Sequence, residues 1–170
     1  NLIDDLKDWS WEAADILLFY SNILRKNDKK IIKNINDENP VTIADLKVND
    51  LIIQRIKSKY GSIEWEILSE ENSKKDSFNI NTNTDWLWVI DPLDGTKDFI
   101  QGTGNYAMHI ALNFKQKPLI GVVLIPEKDE LWIADGEKVW VEKKNRCRQK
   151  PNFNNKKTIE DMVLVTSKNH

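Results

Sequence analysis

The sequence predicts an α/β fold in which two N-terminal helices pack on a largely antiparallel sheet. Two stretches before residue 61 repeat apolar residues at the three- and four-residue spacing of an amphipathic helix. Five short apolar runs between residues 86 and 142, separated by turn-forming residues, have the pattern of consecutive strands. The order is helices first and strands afterwards, which indicates a layered domain rather than a regular βαβ series.

The first helix is predicted over residues 4–26. Its apolar positions, three or four residues apart, are Leu6, Trp9, Ala13, Ile16, Tyr20 and Ile23. The polar residues 27–30 end it. Residues 31–33 are then expected to form a short strand, and residues 36–40 a loop rich in turn formers.

The second helix is predicted to start after Thr42. Thr42 and Asp45 have the form of a capping box, with a hydroxyl at the cap and a carboxylate three residues later. The apolar face consists of Ala44, Val48, Ile52 and Ile56, and Tyr60–Gly61 ends the helix. A strand over 63–68 follows and ends at Ser69–Glu71, after which residues 72–84 read as a loop.

A continuous apolar run over residues 86–90 predicts a strand covered on both faces, and this run stops at Asp91. The meander beyond Gly104 is predicted from strand-like runs at 105–114, 119–125, 130–134 and 138–142. The expected separators are 117–118, 126–129 and 135–136. Residues 143–158 read as a solvated connection, and 162–166 as the start of another strand.

Composition excludes several classes of function. The formal net charge of −2 argues against binding to nucleic acid polymers, which usually requires a basic face. Cys147 is the only cysteine, so the sequence has no disulfide framework, and a reducing, cytoplasmic compartment is expected. No apolar stretch reaches the roughly 20 residues that span a bilayer. The missing initiator methionine and the strand-like end lead us to expect a piece of a longer protein.

The hexapeptide Asp91–Thr96 (DPLDGT) carries the most chemical information. Two carboxylates three residues apart on a tight turn can converge, and Pro92 restricts how that turn folds. Gly95 permits a close backbone approach, and its N–H with that of Thr96 can face an anion. Hard oxygen ligands beside amide donors suit Mg²⁺ and phosphate. Asp-Pro and Asp-Gly are also common turn dipeptides, so the hexapeptide alone leaves both interpretations open.

Two further carboxylate segments lie upstream at the edges of predicted elements. Glu70 and Glu71 end a strand, where a pair of glutamates alone would indicate only a solvated turn. Asp45 is explained by helix capping when it is considered singly. The three segments together, in this order, favour a shared site.

These segments resemble the signatures of the lithium-sensitive, Mg²⁺-dependent phosphatases of the inositol monophosphatase superfamily. Residues 91–96 resemble its main signature, 69–71 its glutamate motif and 41–45 its threonine–aspartate segment. The resemblance runs from about residue 10 to the end and implies a layered sugar-phosphatase fold. Residues 94–99 (DGTKDF) are most similar to the CysQ-type 3′(2′),5′-bisphosphate nucleotidases, although Lys97 is as readily an ordinary surface residue as a substrate contact.

The resemblance implies a role for each matched residue and a small phosphorylated substrate. Glu70, Asp91, Asp94 and the Leu93 carbonyl oxygen would hold Mg²⁺. The backbone N–H groups of Gly95 and Thr96 would hold phosphate. The Thr96 hydroxyl, held by Asp45, would orient the attacking water together with Glu70. Glu71 is expected near these residues or in solvent, whereas Cys147 and His109 are expected to have no catalytic role.

One departure from the family pattern affects the domain prediction. The superfamily has a second signature, a Trp-Asp motif whose aspartate completes the metal site, and no segment of this chain matches it. We therefore expect residues 1–160 to form the metal- and phosphate-binding domain and residues 161–170 to begin a second domain. The piece alone should bind Mg²⁺ weakly and turn over its substrate poorly.

Two alternative functions stay open: an inositol or other sugar monophosphatase, and a non-catalytic metal- or phosphate-binding module. A homodimer is compatible with the resemblance.

Overall fold

The structure, a computed structural model, describes residues 1–26, 32–34, 41–73, 84–151 and 158. Its helices are α1 (Leu2–Arg25), α2 (Ile43–Tyr60), the short α3 (Glu70–Ser73) and α4 (Thr96–Gln101), with a 3₁₀ turn at Pro126–Lys128. Its strands are β1 (Ile32–Asn34), β2 (Val41–Thr42), β3 (Glu66–Ser69), β4 (Trp86–Asp94), β5 (Ala107–Phe114), β6 (Lys117–Ile125), β7 (Glu130–Ala134), β8 (Val139–Glu142) and β9 (Arg148–Gln149).

The two long helices are confirmed, and both begin at side-chain caps. The Asn1 side chain accepts a hydrogen bond from the Asp4 N–H at 3.0 Å at the start of α1. At the start of α2 the Thr42 hydroxyl accepts from the Ala44 N–H at 3.1 Å, and Asp45 Oδ2 accepts from the Thr42 N–H at 2.8 Å. All of these bonds satisfy N–H groups that a helix start leaves unpaired. The Thr42 hydroxyl also accepts from the Asp45 N–H at 3.4 Å, which completes the capping box that the sequence predicts.

Seven strands form one sheet in the order β3-β4-β5-β6-β7-β8-β9, and β1 and β2 form a separate antiparallel pair. From β4 onward every neighbouring pair is antiparallel, so the predicted meander is confirmed. Among the strands in the described residues, β3 and β4 are the one pair that runs parallel. This parallel pair brings the ends of β3 and β4 to the same edge of the sheet.

Several strand predictions are wrong in detail. β4 does not stop at Asp91 but continues to Asp94, because the register shifts between Asp91 and Asp94 and accommodates Pro92, which has no N–H to donate. The turn before β6 lies at Lys115–Gln116 instead of 117–118. The solvated connection after residue 142 contains the edge strand β9.

The segment after β3 also departs from prediction. Residues 72–73 belong to α3 instead of a loop, and β3 covers Glu66–Ser69 rather than 63–68. The predicted loop at 36–40, most of the loop at 72–84, the strand at 162–166 and the second-domain start at 161–170 lie outside the described residues.

The hydrophobic core lies between the two long helices and one face of the sheet. Trp88 and Ile90 of β4 point into this core, as do Met108 and Ile110 of β5, and all are almost fully buried. Leu87 and Val89, on the other face of β4, are only half-buried, so the expectation of a strand covered equally on both faces is not met. In the described ranges no helix combines the length and apolarity required to cross a membrane.

A polar cluster ties the end of α2 to the start of α1, on the helix layer. The carboxylate of Asp5 accepts hydrogen bonds from the Lys59 ammonium and the Tyr60 hydroxyl. Asp5 is buried, and these two hydrogen bonds lower its pKa against the opposing effect of burial. This group, the Asp5 cluster, contains none of the residues of the three carboxylate segments at 41–45, 69–71 and 91–96.

Candidate active site

The site begins at the sheet edge where β3 and β4 end together. Ser69 of β3 pairs with Ile90 of β4 in the parallel register. The residues that follow them in the sequence, Glu70 and Asp91, are therefore neighbours. Glu70 opens α3 and Asp91 continues β4. The topology of the backbone therefore brings together carboxylates that are 21 positions apart in the sequence.

Glu70 and Asp91 interact directly. Asp91 shares a hydrogen bond with the Glu70 carboxylate, and its own Oδ1 accepts from the Leu93 N–H at 3.1 Å. Burial, followed by the negative charges of Glu70 and Asp94, raises the pKa of Asp91 to about 7. Three carboxylates therefore concentrate negative charge at this edge of the sheet.

A second contact joins Asp45 to the turn after β4. The Thr96 hydroxyl lies 3.0 Å from the Leu93 carbonyl oxygen, to which it donates, and 3.4 Å from Asp45 Oδ1. Asp45 is 2% exposed, and burial raises its pKa to about 6 although Thr42 hydrogen bonds stabilise the charged form. Asp45 thus caps its helix through Oδ2 and faces Thr96 through Oδ1.

Gly95 shapes the turn between β4 and α4. Its φ is +83°, in the left-handed region, and a Cβ at this position would lie 2.7 Å from the Asn105 carbonyl oxygen. Only glycine fits both this conformation and this close approach without strain. Thr96 then begins α4, so the backbone N–H groups of residues 95 and 96 lie at a helix start.

Asp94 is the most exposed of the predicted ligands, with 61% of its side chain accessible. Its Oδ2 lies 3.9 Å from His109 Nε2, and His109 is the register partner of Asp91 on β5. His109 therefore lies in the sheet, as predicted, but beside the carboxylates. Glu70, Asp91 and His109 line a cavity of about 440 Å³ together with apolar residues of β4, β5 and β6.

Two buried polar residues lie near the site: Glu71, which belongs to the glutamate motif, and Asn49, which belongs to no motif. Glu71 is 3% exposed, so it is not a solvated residue, and its charge contributes to raising the pKa of Asp45. Asn49 is also 3% exposed and contacts Ser69 and Asn72 on either side of Glu70. The sequence signal for Asn49 is only that a polar residue stands beside the apolar positions of α2. Lys97 is half-buried, and Cys147 is exposed as a free thiol.

The chemistry of the donor set fits a divalent cation. The oxygens of Glu70, Asp91, Asp94 and the Leu93 carbonyl are hard ligands. The raised pKa of Asp91 reflects burial first and then the like charges of its neighbours, which a cation would offset. Among the described residues, however, no three His, Cys, Asp or Glu side chains are arranged to hold a metal ion. The side chain of Asp94 is turned largely to solvent.

The metal-free protein is expected to lose stability as the pH rises from 5 to 8. Asp45 and Asp91 have pKa values of about 6 and 7 in the folded state against an ordinary value of 3.8. The folded state therefore binds more protons in this window, and its stability falls as these protons are lost. Asp45 alone should account for about 1–2 kcal/mol, measured by urea unfolding.

Asp45→Asn is the control for this pH dependence, because it removes one of the two titrating groups and should flatten the profile. The carboxylates with lowered pKa values, such as Asp5 and Glu127, change their contribution below the window. A stability that rises between pH 5 and 8 would contradict the assignment of buried, mutually repelling carboxylates.

Comparison with known proteins identifies the fold and the family. The family model described as the inositol monophosphatase family matches residues 3–170. The 3′(2′),5′-bisphosphate nucleotidase CysQ of Salmonella typhimurium is 34% identical over 106 residues, which cover 62% of this chain and 42% of that protein.

Solved structures agree with this assignment. The extragenic suppressor protein suhB from Bartonella henselae superposes with a TM-score of 0.68 at 21% identity, covering 85% of this chain and 52% of that one, which shows the fold. CysQ from Bacteroides thetaiotaomicron superposes with a TM-score of 0.55 at 28% identity, covering 86% and 48%. The chain spans about half the length of the curated relatives it matches. The chain belongs to the inositol monophosphatase family.

Proposed function

We propose that residues 1–160 form the metal- and phosphate-binding domain of a Mg²⁺-dependent phosphomonoesterase that converts 3′-phosphoadenosine 5′-phosphate to AMP and phosphate. Family membership supports a phosphatase, and the relatives named as 3′(2′),5′-bisphosphate nucleotidases support this substrate. In the same proposal residues 161–170 begin a second domain. The protein would act in the cytoplasm on a small soluble substrate, without nucleic acid polymers or membranes as partners, and a homodimer stays a prediction.

One observation carries the proposal. The Thr96 hydroxyl lies between the Asp45 carboxylate and the Leu93 carbonyl, at the start of α4, while Glu70 and Asp91 share a hydrogen bond at the adjacent strand ends. Oxygen ligands, a hydroxyl with a carboxylate partner and a glycine turn thus come from three separate segments of the chain. If these segments were only turns and helix caps, their side chains would not be expected to meet at one edge of the sheet.

The proposed cation site consists of Glu70, Asp91, Asp94 and the Leu93 carbonyl oxygen. A bound Mg²⁺ would neutralise phosphate oxygens and acidify a water molecule, which this reaction requires because a phosphate dianion repels hydroxide. Burial raises the pKa of Asp91 most, and the negative charges of Glu70 and Asp94 raise it further. A bound cation would offset these like charges.

The remaining residues would bind phosphate and orient water. The N–H groups of Gly95 and Thr96 would donate to phosphate oxygens at the start of α4. Because the Thr96 hydroxyl donates its proton toward Leu93 and Asp45, its lone pairs are left to accept a hydrogen bond from water. Glu70, half-buried beside Asp91, would accept a proton from the same water. This scheme requires no covalent phosphoenzyme.

A malachite green assay of phosphate release in the presence of Mg²⁺ tests which substrate is hydrolysed. We expect 3′-phosphoadenosine 5′-phosphate to be hydrolysed faster than inositol 1-phosphate, and we expect the 170-residue chain alone to be slow. A strong preference for inositol 1-phosphate would instead favour an inositol or sugar monophosphatase. This is the second candidate because the matching family is described as the inositol monophosphatase family, although the relatives cited above are CysQ nucleotidases. Metal binding without turnover of either substrate by a longer chain would indicate a non-catalytic binding module.

A further inference from the structure

Asn49 occupies an unusual position for an amide. It lies inside α2 on the face that carries the buried Ala44, Val48 and Ile52, and it is itself 3% exposed. Asparagine is a poor helix former and a costly residue to bury unless its amide is hydrogen-bonded. Asp45 lies four residues earlier, so the two side chains project from the same side of the helix. The hydrogen bonds of the Asn49 amide must therefore account for its burial in the helix.

Those contacts bracket Glu70. The Ser69 hydroxyl, which is fully buried, donates to Asn49 Oδ1, and Asn49 Nδ2 donates to Asn72 Oδ1 at 3.4 Å. Ser69 is the last residue of β3, and Asn72 lies within α3. One side-chain amide therefore fastens the residue before Glu70 and a residue two positions after it to α2.

The contacts also connect the two halves of the candidate site. α2 carries Asp45, which faces Thr96, and the junction between β3 and α3 carries Glu70, which faces Asp91. α3 has only four residues, too short to hold its own orientation through helix hydrogen bonds. An external partner is therefore needed to fix the direction of the Glu70 side chain.

We infer that Asn49 is a positioning residue: its amide fixes the Ser69–Asn72 junction on α2 and thereby holds Glu70 against Asp91 beside Asp45. This inference rests on the proposed function, because it concerns the cation site at that edge. Residues that orient metal ligands without touching the metal typically change affinity 10- to 100-fold when they are removed. Asn49 acts in this way through Glu70.

The test compares Mn²⁺ binding by the unaltered chain and the double variant Asn49→Leu/Ser69→Ala, using water-proton relaxation, which detects weak sites. Replacing both hydrogen-bonding partners by apolar groups leaves no buried polar atom between them, so the thermal midpoint should change little. The Mn²⁺ dissociation constant should rise about tenfold. Asn72→Ala removes only one hydrogen bond at a half-buried position, and it should raise the constant about threefold even if the double variant fails to fold.

Tyr60→Phe is the matched control. It removes a hydroxyl from the Asp5 cluster, at the opposite end of α2, and so loosens α2 without touching the junction. Its Mn²⁺ affinity should equal that of the unaltered chain. Unchanged affinity in the folded double variant and in Asn72→Ala, or an equal loss in Tyr60→Phe, would overturn the positioning role. If the unaltered chain binds no Mn²⁺, the cation site of the proposed function is itself refuted, and the inference with it.

Discussion

Asp91→Asn is expected to lower the affinity for Mg²⁺ by at least about 100-fold and, at the same time, to stabilise the metal-free protein at pH 8. Metal affinity falls while stability rises because the same carboxylate attracts the cation and repels its acidic neighbours. Its charge attracts a cation, and in the absence of a cation that charge is repelled by Glu70 and Asp94 within a partly buried edge. Burial and repulsion both raise the pKa of Asp91, which is the thermodynamic measure of this cost.

The gain in stability should be about 1 kcal/mol, since Asp91 is partly exposed and solvent screens its repulsion. The amide keeps the oxygen that accepts from the Leu93 N–H, so this local hydrogen bond survives. Urea unfolding without metal measures the stability, and titration with Mg²⁺ or Mn²⁺ measures the affinity. Asp50→Asn, an exposed carboxylate on α2, is the control and should change neither quantity. A destabilised Asp91→Asn with full metal affinity would disprove the assignment of Asp91 as a ligand.

Gly95→Ala is expected to destabilise the protein by about 2–3 kcal/mol and to abolish phosphate binding at the start of α4. The alanine Cβ would have to occupy a φ of +83° and a position 2.7 Å from the Asn105 carbonyl oxygen. That oxygen belongs to the backbone, so it cannot move as a flexible side chain would. Relief of the strain must shift residues 95–96, whose N–H groups are the proposed phosphate donors.

Gly121→Ala provides the comparison for this variant. Gly121 lies in β6, and a Cβ there would meet no atom within 4 Å. Its alanine variant should keep its stability within about 0.5 kcal/mol, or gain slightly, because alanine loses less backbone entropy on folding. Urea unfolding and inorganic phosphate binding with Mg²⁺ present distinguish the two variants. Equal stability of both would show that the turn at Gly95 is not under the constraint described here.

Local sequence signals predicted the elements whose causes are local. The capping box of Thr42 and Asp45 marks the start of α2, and the three carboxylate segments all lie at or near the edges of elements, as expected. The contacts of Asp45 with Thr96 and of Glu70 with Asp91 agree with the grouping that the motifs suggested, whereas the ligand and catalytic roles stay predictions. The three carboxylate segments could indicate a shared site because separate turns and caps would rarely produce all three in this order.

Features that depend on distant partners or unusual backbone conformations could not be predicted. Lys115 and Gln116 form the turn before β6 with φ values of 49° and 64°, although neither is glycine or asparagine, the usual residues there. Pro92 suggested the end of a strand, but β4 tolerates it at a register shift. No motif in the sequence pointed to Asn49, because its partners lie 20 and 23 positions away.

The parallel pairing of β3 with β4 limits how such a site can vary. Successive side chains along a strand alternate between faces, and the alignment of Ser69 with Ile90 sets which face Asp91 occupies relative to Glu70. Inserting one residue into the middle of either strand would turn an acidic group from the open side of the sheet toward the aromatic interior. Substitutions within these strands therefore leave the relative positions of the acids unchanged, whereas a change in the number of residues between the paired positions and the acids does not.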